Sequence, residues 1–381
     1  MNYLVISPIS LFFVPWAIVL TFYSFSATEN LVELPTSLIV LLNFIFLIFS
    51  LVTALVYISY RDERKLISTL AYEPSSTRRL RKTINIQLTI WFIGTIFEIF
   101  KSGGLPIFWA IFDDPRNYTD FGIPSFHGLM NGIYFSLFAC LYYYYMVTKD
   151  KRFLLYTLIM LSWPIFMLGR GIMLTALVQM GIIYIFFVRI EIKTFVFLII
   201  FSLLIVIGFG VIGNTRGDSS PFFYLVAGDY EYIFYLLPDG FLWFYIYMTS
   251  PLSNLAYNFN TLNPVWDFYY SSVNLFPSFL RPAILDRADA FAFVDDNLNV
   301  STIFASSHSD FGAMGDFVLI SILALWAGFW FKNMFTSIAY ILPYSLVGSI
   351  LFFSIFYNLF LLYPYIFATI LLGLVAKFIN R

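Results

Sequence analysis

His308 is one of only two histidines in the 381-residue chain, and it stands in a run of groups able to move protons: Ser306-Ser-His308-Ser-Asp310-Phe-Gly312-Ala-Met-Gly315-Asp316. A histidine with two aspartates leading into an apolar helix supplies the titratable groups that a general base needs. The helix N-terminus they adjoin also favours anions. The plain alternative is a loop histidine without a role, with Asp310 or Asp316 capping the helix. The cluster as a whole, more than any single member, points to chemistry.

Cations supply the second kind of candidate. In Gly169-Arg170-Gly171 an arginine sits in a tight turn between two apolar stretches, and flanking glycines let a ligand approach backbone and guanidinium together. An anionic lipid headgroup fits there; equally, Arg170 snorkels to the interface and the glycines only make the turn. Asn214-Thr-Arg216-Gly-Asp218 repeats the Arg-beside-Gly pattern at the end of another apolar run. Two such arginines can clamp a diphosphate bidentately, although Arg216 paired with Asp218 in a solvated loop start accounts for the same residues. Ionisable groups at membrane depth cost about 2.5–3.5 kcal/mol for a central Arg, which is why charges at the ends of apolar runs invite a functional reading. Weaker candidates are Glu98, His127 and the aromatic stretch from Phe222 to Phe279, whose rings interleaved with Asn and Asp suit sugars but serve more often as interfacial anchors.

The elements that must position these groups follow from composition. The chain is 60% hydrophobic and 11% charged, with a mean hydropathy of +0.84, more apolar surface than one water-soluble core can hide. Lipid satisfies no backbone groups, so spanning segments are helices or a closed barrel, and the long apolar runs lack the period-2 alternation of barrel strands. The expectation is an all-α polytopic membrane protein of about ten spans: Tyr3–Ser24, Thr36–Tyr60, Ile84–Phe100, His127–Thr148, Phe153–Leu168, Ile172–Val188, Thr194–Gly213, Phe317–Phe331, Ile338–Tyr357 and Tyr363–Phe378. This divides the chain into 1–213 with seven spans, 214–313 as a long polar loop, and 314–381 with three more.

Orientation rests on the excess of Lys and Arg in cytoplasmic loops. Arg61, Arg64, Lys65, Arg78, Arg79, Arg81, Lys82, Lys149, Lys151, Arg152, Arg189, Lys193, Lys332, Lys377 and Arg381 all fall on one face, which leaves Lys101, Arg116, Arg170, Arg216, Arg281 and Arg287 for the other. Most carboxylates, among them Glu29, Glu33, Asp113, Asp120, Asp229 and Asp295, lie opposite the basic face. Both termini are then cytoplasmic and the long loop is outside. Phe241 to Tyr257 is apolar enough to cross, but it contains Pro251, and a crossing would reverse Lys332, Lys377 and Arg381. It is read as an interfacial or re-entrant helix. The run Tyr142 to Tyr145 reads as an interfacial aromatic belt.

Other classes recede. No Walker A, HExxH or GxSxG pattern occurs, nor a Cys/His cluster with zinc spacing, so the usual routes to ATP hydrolysis, zinc proteolysis and serine hydrolysis are disfavoured. A net charge of −1 offers no argument for nucleic acid as a partner, and Cys140 alone forms no intramolecular disulfide. The first apolar run lacks a basic leader and a small-residue cleavage site, so it is expected to be a retained span. Few charges occupy the middle of spans, which argues against an ion-coupled transporter.

The layout resembles bacterial oligosaccharide repeat-unit polymerases of the Wzy type. The resemblance is carried by about ten spans, Gly169-Arg170-Gly171, Arg216, the loop with Tyr247-Met-Thr-Ser-Pro251-Leu, and Asp310-Phe-Gly-Ala-Met-Gly315 ahead of the next span. It implies a GT-C-like inner-membrane glycosyltransferase with a long periplasmic loop containing short helices. Such an enzyme joins undecaprenyl-diphosphate-linked repeat units, donor to acceptor, into O-antigen or capsule. Its substrate-binding residues on this chain are expected to be Arg170, Arg216, Gly169, Gly171 and Tyr247, and its catalytic residues His308, Asp310 and Asp316. No cofactor or metal is expected; besides the bilayer and its lipid-linked substrates, a chain-length regulator is an optional membrane partner. O-antigen ligases share the layout and stay open as an alternative, as does a flippase for lipid-linked oligosaccharides.

Overall fold

The computed structural model describes residues 3–58, 74–188, 191–214, 222–259, 261–277, 280, 291–295 and 297–381. Among these every regular element is helical: α1 (Pro8–Tyr23), α2 (Thr36–Ile58), α3 (Pro74–Ser102), α4 (Pro106–Ile111), α5 (Phe126–Thr148), α6 (Lys151–Phe166), α7 (Arg170–Phe187), α8 (Ile192–Asn214), α9 (Glu231–Leu236), α10 (Gly240–Phe259), α11 (Tyr269–Leu275), α12 (Ala305–Asn333), α13 (Ile341–Phe352) and α14 (Tyr363–Ile379).

Several helix ends are written in the local sequence. Ser7 accepts a hydrogen bond from the Ser10 N–H at 3.1 Å, and Pro8 occupies the first turn, where its missing N–H costs nothing. Lys149 takes a left-handed conformation to end α5, and the Asp150 carboxylate accepts from the Arg152 N–H at 3.1 Å to begin α6. Two adjacent residues thereby reverse the chain.

Among the described residues five helices are long and apolar enough to cross a membrane: Thr36–Ile58, Ser76–Ile111, Arg170–Phe187, Ala305–Asn333 and Ile338–Ile355; Pro8–Tyr23 and Tyr363–Ile379 are shorter apolar helices. Their outward faces are apolar. On α12, Val318, Ile322, Leu325 and Phe329 are exposed at helical spacing, and on α2 so are Val40, Phe44, Leu47, Leu51 and Leu55. Continuous greasy stripes of this length are intolerable in water, and a bilayer is the solvent that accepts them.

α5 and α13 form the centre. α5 packs against α3, α6, α7 and α14, and α13 against α7, α14, α1 and α12. This position overturns the reading of Tyr142 to Tyr145 as an interfacial belt: Tyr142, Tyr143 and Tyr144 are buried, with Tyr144 against Phe153 at 4.0 Å and Tyr143 near Phe187 at 5.7 Å. Neighbouring helices enclose α5 to its last turn, so aromatics at its end become core.

The stretch after α8 gathers at the end of the bundle where α1 finishes. Glu29 N–H donates to the Leu225 carbonyl at 2.8 Å, and Ala227 N–H to that of Ala27 at 3.1 Å. Over this junction Phe222, Leu225, Val226, Leu242, Trp243 and Ile246 form a second apolar cluster. α10 crosses α8 closely at Gly210 and Gly240, where a Cβ on Gly240 would fall 2.2 Å from the Val206 carbonyl oxygen. Its buried Asn254 donates to Leu298 and Val300 carbonyls at 2.7 Å, and Asn258 to that of Ala292 at 2.6 Å. A helix with so many satisfied polar groups on its buried side packs against protein there, and it is not among the five apolar helices above.

Candidate functional site

The expected eighth span, Phe317–Phe331, proves to be the second part of a longer helix. α12 starts at Ala305 and already contains His308, Asp310 and Asp316, but it is broken at Phe311 (φ −137°, ψ 15°) and Gly312 (φ 58°, ψ −148°). Only glycine adopts the latter without strain. A helix break strands backbone carbonyls, and here they are claimed from outside: Val265 N–H donates to the Ser309 carbonyl at 3.1 Å and Trp266 N–H to that of Asp310 at 2.8 Å. Pro264 closes over the break, 3.0 Å from where a Gly312 Cβ would project.

Folding back at the break brings Ser307 and His308 onto Asp316. His308 Nδ1 lies 2.7 Å from one Asp316 carboxylate oxygen, and the Ser307 hydroxyl donates to the other at 2.6 Å. Gly315 makes the approach possible, since a Cβ there would meet the Ser307 carbonyl oxygen at 2.3 Å. Asp316 is 1% exposed, and Phe259, from the last turn of α10, stacks on the imidazole at 4.7 Å. Where Asp316 is ionised it only accepts, so a neutral His308 paired with it carries its proton on Nδ1 and its lone pair on Nε2. Nε2 makes no hydrogen bond among the described residues. That is the arrangement of an oriented general base: a carboxylate fixes the tautomer and stabilises the imidazolium formed when Nε2 takes a proton.

Asp310, expected beside His308 as a catalytic group, is turned the other way. Its two oxygens accept from the Tyr270 and Ser271 N–H groups at 2.7 and 2.9 Å, the orphan donors in the first turn of α11. Neither aspartate caps α12, whose N-terminal neighbour Phe304 makes no side-chain cap. Asp310 therefore positions α11 across the break. Asp310→Ala is expected to cost about 1.5–3 kcal/mol of local stability, the range for hydrogen bonds to a charged group. Hydrogen exchange should show the 269–275 amides opening, with a smaller loss of activity than changes at His308 or Asp316 produce.

Arg170 is the first residue of α7 and is half-buried, so guanidinium and helix N-terminus present positive charge together. The turn before it does not depend on its glycines: the left-handed residue is Leu168, while Gly169 has φ −92°. Gly171 has open space around its Cα, room for a ligand to approach. α7 is tied to the candidate base through the α13–α14 connection. Thr175 meets Tyr365 at 3.2 Å and accepts from Ser349 at 3.4 Å; Ile303 N–H donates to the Ser354 carbonyl at 2.8 Å, and Asn358 to the Ser306 hydroxyl at 3.1 Å. Arg216 lies outside the described residues. Tyr247 stacks on Trp243 at 5.7 Å within the second apolar cluster.

The weaker pair also meets. Glu98 of α3, 1% exposed, lies 3.2 Å from His127 Nδ1 on α5, beside the Gly122 turn with its φ of 90°. Sequence reasoning gave Ser307, Phe259 and Asn358 no individual role. Ser307 stood in the run from Ser306 to Asp316 and Phe259 in the aromatic stretch from Phe222 to Phe279, but nothing local tied either to His308; Asn358 arrives from a distant element and carries no local signal.

No protein-family model, curated protein or solved structure matches the chain.

Proposed function

We propose that this chain is a GT-C-like membrane glycosyltransferase that polymerises undecaprenyl-diphosphate-linked repeat units into O-antigen or capsular polysaccharide. In this reading it spans a bacterial inner membrane about ten times, with both termini cytoplasmic and the 214–313 region on the periplasmic face. The observation that carries it is the buried Asp316–His308 pair, with Nε2 making no hydrogen bond among the described residues, lodged in a break of a membrane-length helix.

The chemistry follows from those groups. The acceptor hydroxyl attacks the anomeric carbon of the donor sugar, the bond from that carbon to the diphosphate oxygen breaks, and the lipid diphosphate leaves with the electron pair. His308 Nε2 takes the hydroxyl proton, and Asp316 stabilises the resulting imidazolium. A diphosphate leaves readily without an acid, so cations that hold its developing charge matter more. Arg170 at the α7 N-terminus serves that purpose, with Arg216 as its partner in the clamp. Tyr247, stacked on Trp243 in the second apolar cluster, offers an aromatic face suited to a sugar ring.

The test is polymer formation by the purified protein from lipid-linked repeat units. Arg170→Ala and Arg216→Ala are each expected to lower turnover about 10²–10³-fold, the usual effect of removing one preorganised charge-stabilising donor. Full activity in both variants at normal protein levels refutes the clamp. Gene deletion separates polymerase from ligase: single repeats on lipid A core mark the former, long chains retained on the carrier lipid the latter. Labelling of intact cells that finds the 214–313 region in the cytosol rejects the whole scheme.

A further inference from the structure

The end of the bundle away from the candidate base carries an unassigned cluster of cations. Arg78, Arg79, Arg81 and Lys82, in the first turns of α3, line a hollow of about 710 Å³ with Asn85, Ile86 and Phe378. Its distance from the base is set by α14. The N-terminal end of that helix adjoins the connection that holds Ser306, while at its C-terminal end Arg79 donates to the Ile379 carbonyl at 3.0 Å. A helix of 17 residues rises about 25 Å, so the two sites sit at opposite ends of the bundle.

The lining changes character along α3. Arg78, Arg81 and Lys82 are exposed, whereas one turn further on Ile86 is exposed and apolar, facing the exposed Phe378 of α14. Cationic headgroup contacts followed within about 6 Å by apolar contacts match a phospholipid, whose phosphate ends where its acyl chains begin. Among the described residues none of Arg78, Arg81 and Lys82 makes a salt bridge; the Asp150 carboxylate feels Arg81, but it is held below the usual carboxylate range first by hydrogen bonds from Arg152, to which it is bonded at 2.8 Å. Arg79 is held by the end of α14, so the exposed three are the groups able to turn to a ligand. The N-terminus of α3 adds its own positive end.

From this juxtaposition we infer that the hollow between the α3 N-terminus and the α14 C-terminus is a binding site for an anionic phospholipid of the surrounding bilayer. Its phosphate is held by Arg78, Arg81 and Lys82, and its chains lie along Ile86 and Phe378. The site is independent of the proposed transferase reaction, and it pins α3 to α14 at the membrane surface. Basic clusters at the ends of spanning helices attract anionic headgroups through every Lys and Arg they hold, so the expected effect of removing three is large.

The test uses the full chain purified in detergent with mixed phosphatidylglycerol and phosphatidylcholine, bound lipid being counted by native mass spectrometry. Replacing Arg78, Arg81 and Lys82 together by Gln is expected to lower phosphatidylglycerol retention about tenfold or more and to leave phosphatidylcholine unchanged. Equal retention by the variant overturns the inference. So does displacement of the lipid by millimolar inorganic phosphate, which marks a site for free phosphate. A second measurement needs no substitution: a phosphatidylglycerol carrying a photoreactive acyl chain should label Ile86 or Phe378 in the unaltered protein, and labelling confined to other helices refutes the site.

Discussion

Under the proposed transferase reading, Asp316→Asn is expected to lower polymer turnover by about 10²–10⁴-fold, the contribution of a positioned general base, while leaving the fold in place. The reason lies in the hydrogen bonds. An asparagine can still accept from His308 Nδ1 and donate to the Ser307 oxygen, because the Ser307 hydroxyl has a second acceptor in the Phe304 carbonyl at 3.1 Å. What it cannot do is carry the negative charge that stabilises an imidazolium. The loss therefore falls on kcat, with KM for the lipid-linked donor nearly unchanged. Retained turnover, or a loss matched by reduced thermal stability in detergent, rejects the base role. Phe259→Leu is the natural companion, since it removes the ring stacked on His308 without touching a charge.

The second large effect belongs to a residue without a side chain. A methyl group on Gly315 meets the Ser307 carbonyl oxygen at 2.3 Å and the Phe311 Cβ at 3.1 Å, contacts that backbone on one side cannot yield cheaply. Gly315→Ala must therefore push the Ser307–His308 turn away from Asp316. A displacement of about 1 Å in a catalytic arrangement costs on the order of 10²-fold in rate, and that is the expected loss. Gly181→Ala, in the middle of α7, is the internal control: its Cβ enters open space, and helix propensity slightly favours alanine. The comparison is read from polymer yield at equal protein. Wild-type turnover in Gly315→Ala means the close contact across the break is not what the reaction uses.

Both predictions concern one segment, and that segment shows how far local sequence reaches. Its groups were visible as a cluster, because a histidine, two aspartates and two glycines ahead of an apolar run stand out in so greasy a chain. Their division of labour was not. Asp310 and Asp316 look equivalent in sequence, yet one holds the first turn of α11 and the other holds His308. Which does which depends on the turn at Gly312 and on where residues 264–271 lie. The tyrosine run on α5 teaches the same lesson, since aromatic residues at the end of an apolar helix suit an interface or a core equally well, and only the neighbours decide.

What the sequence determined by itself was the solvent and the secondary structure. Hydrophobic runs far longer than a soluble core can use require helices with lipid-facing stripes, and the apolar faces of α2 and α12 are those stripes. Caps such as Ser7 and Asp150 are equally local. The tertiary structure alone decided which polar groups meet. In an unbroken helix His308 and Asp316 would stand about 12 Å apart along the axis; they are 2.7 Å apart because Gly312 reverses the chain and a distant segment absorbs the carbonyls freed there. Periodicity reports which face of an element is apolar, but carries nothing about a single backbone torsion or about the partner that stabilises it.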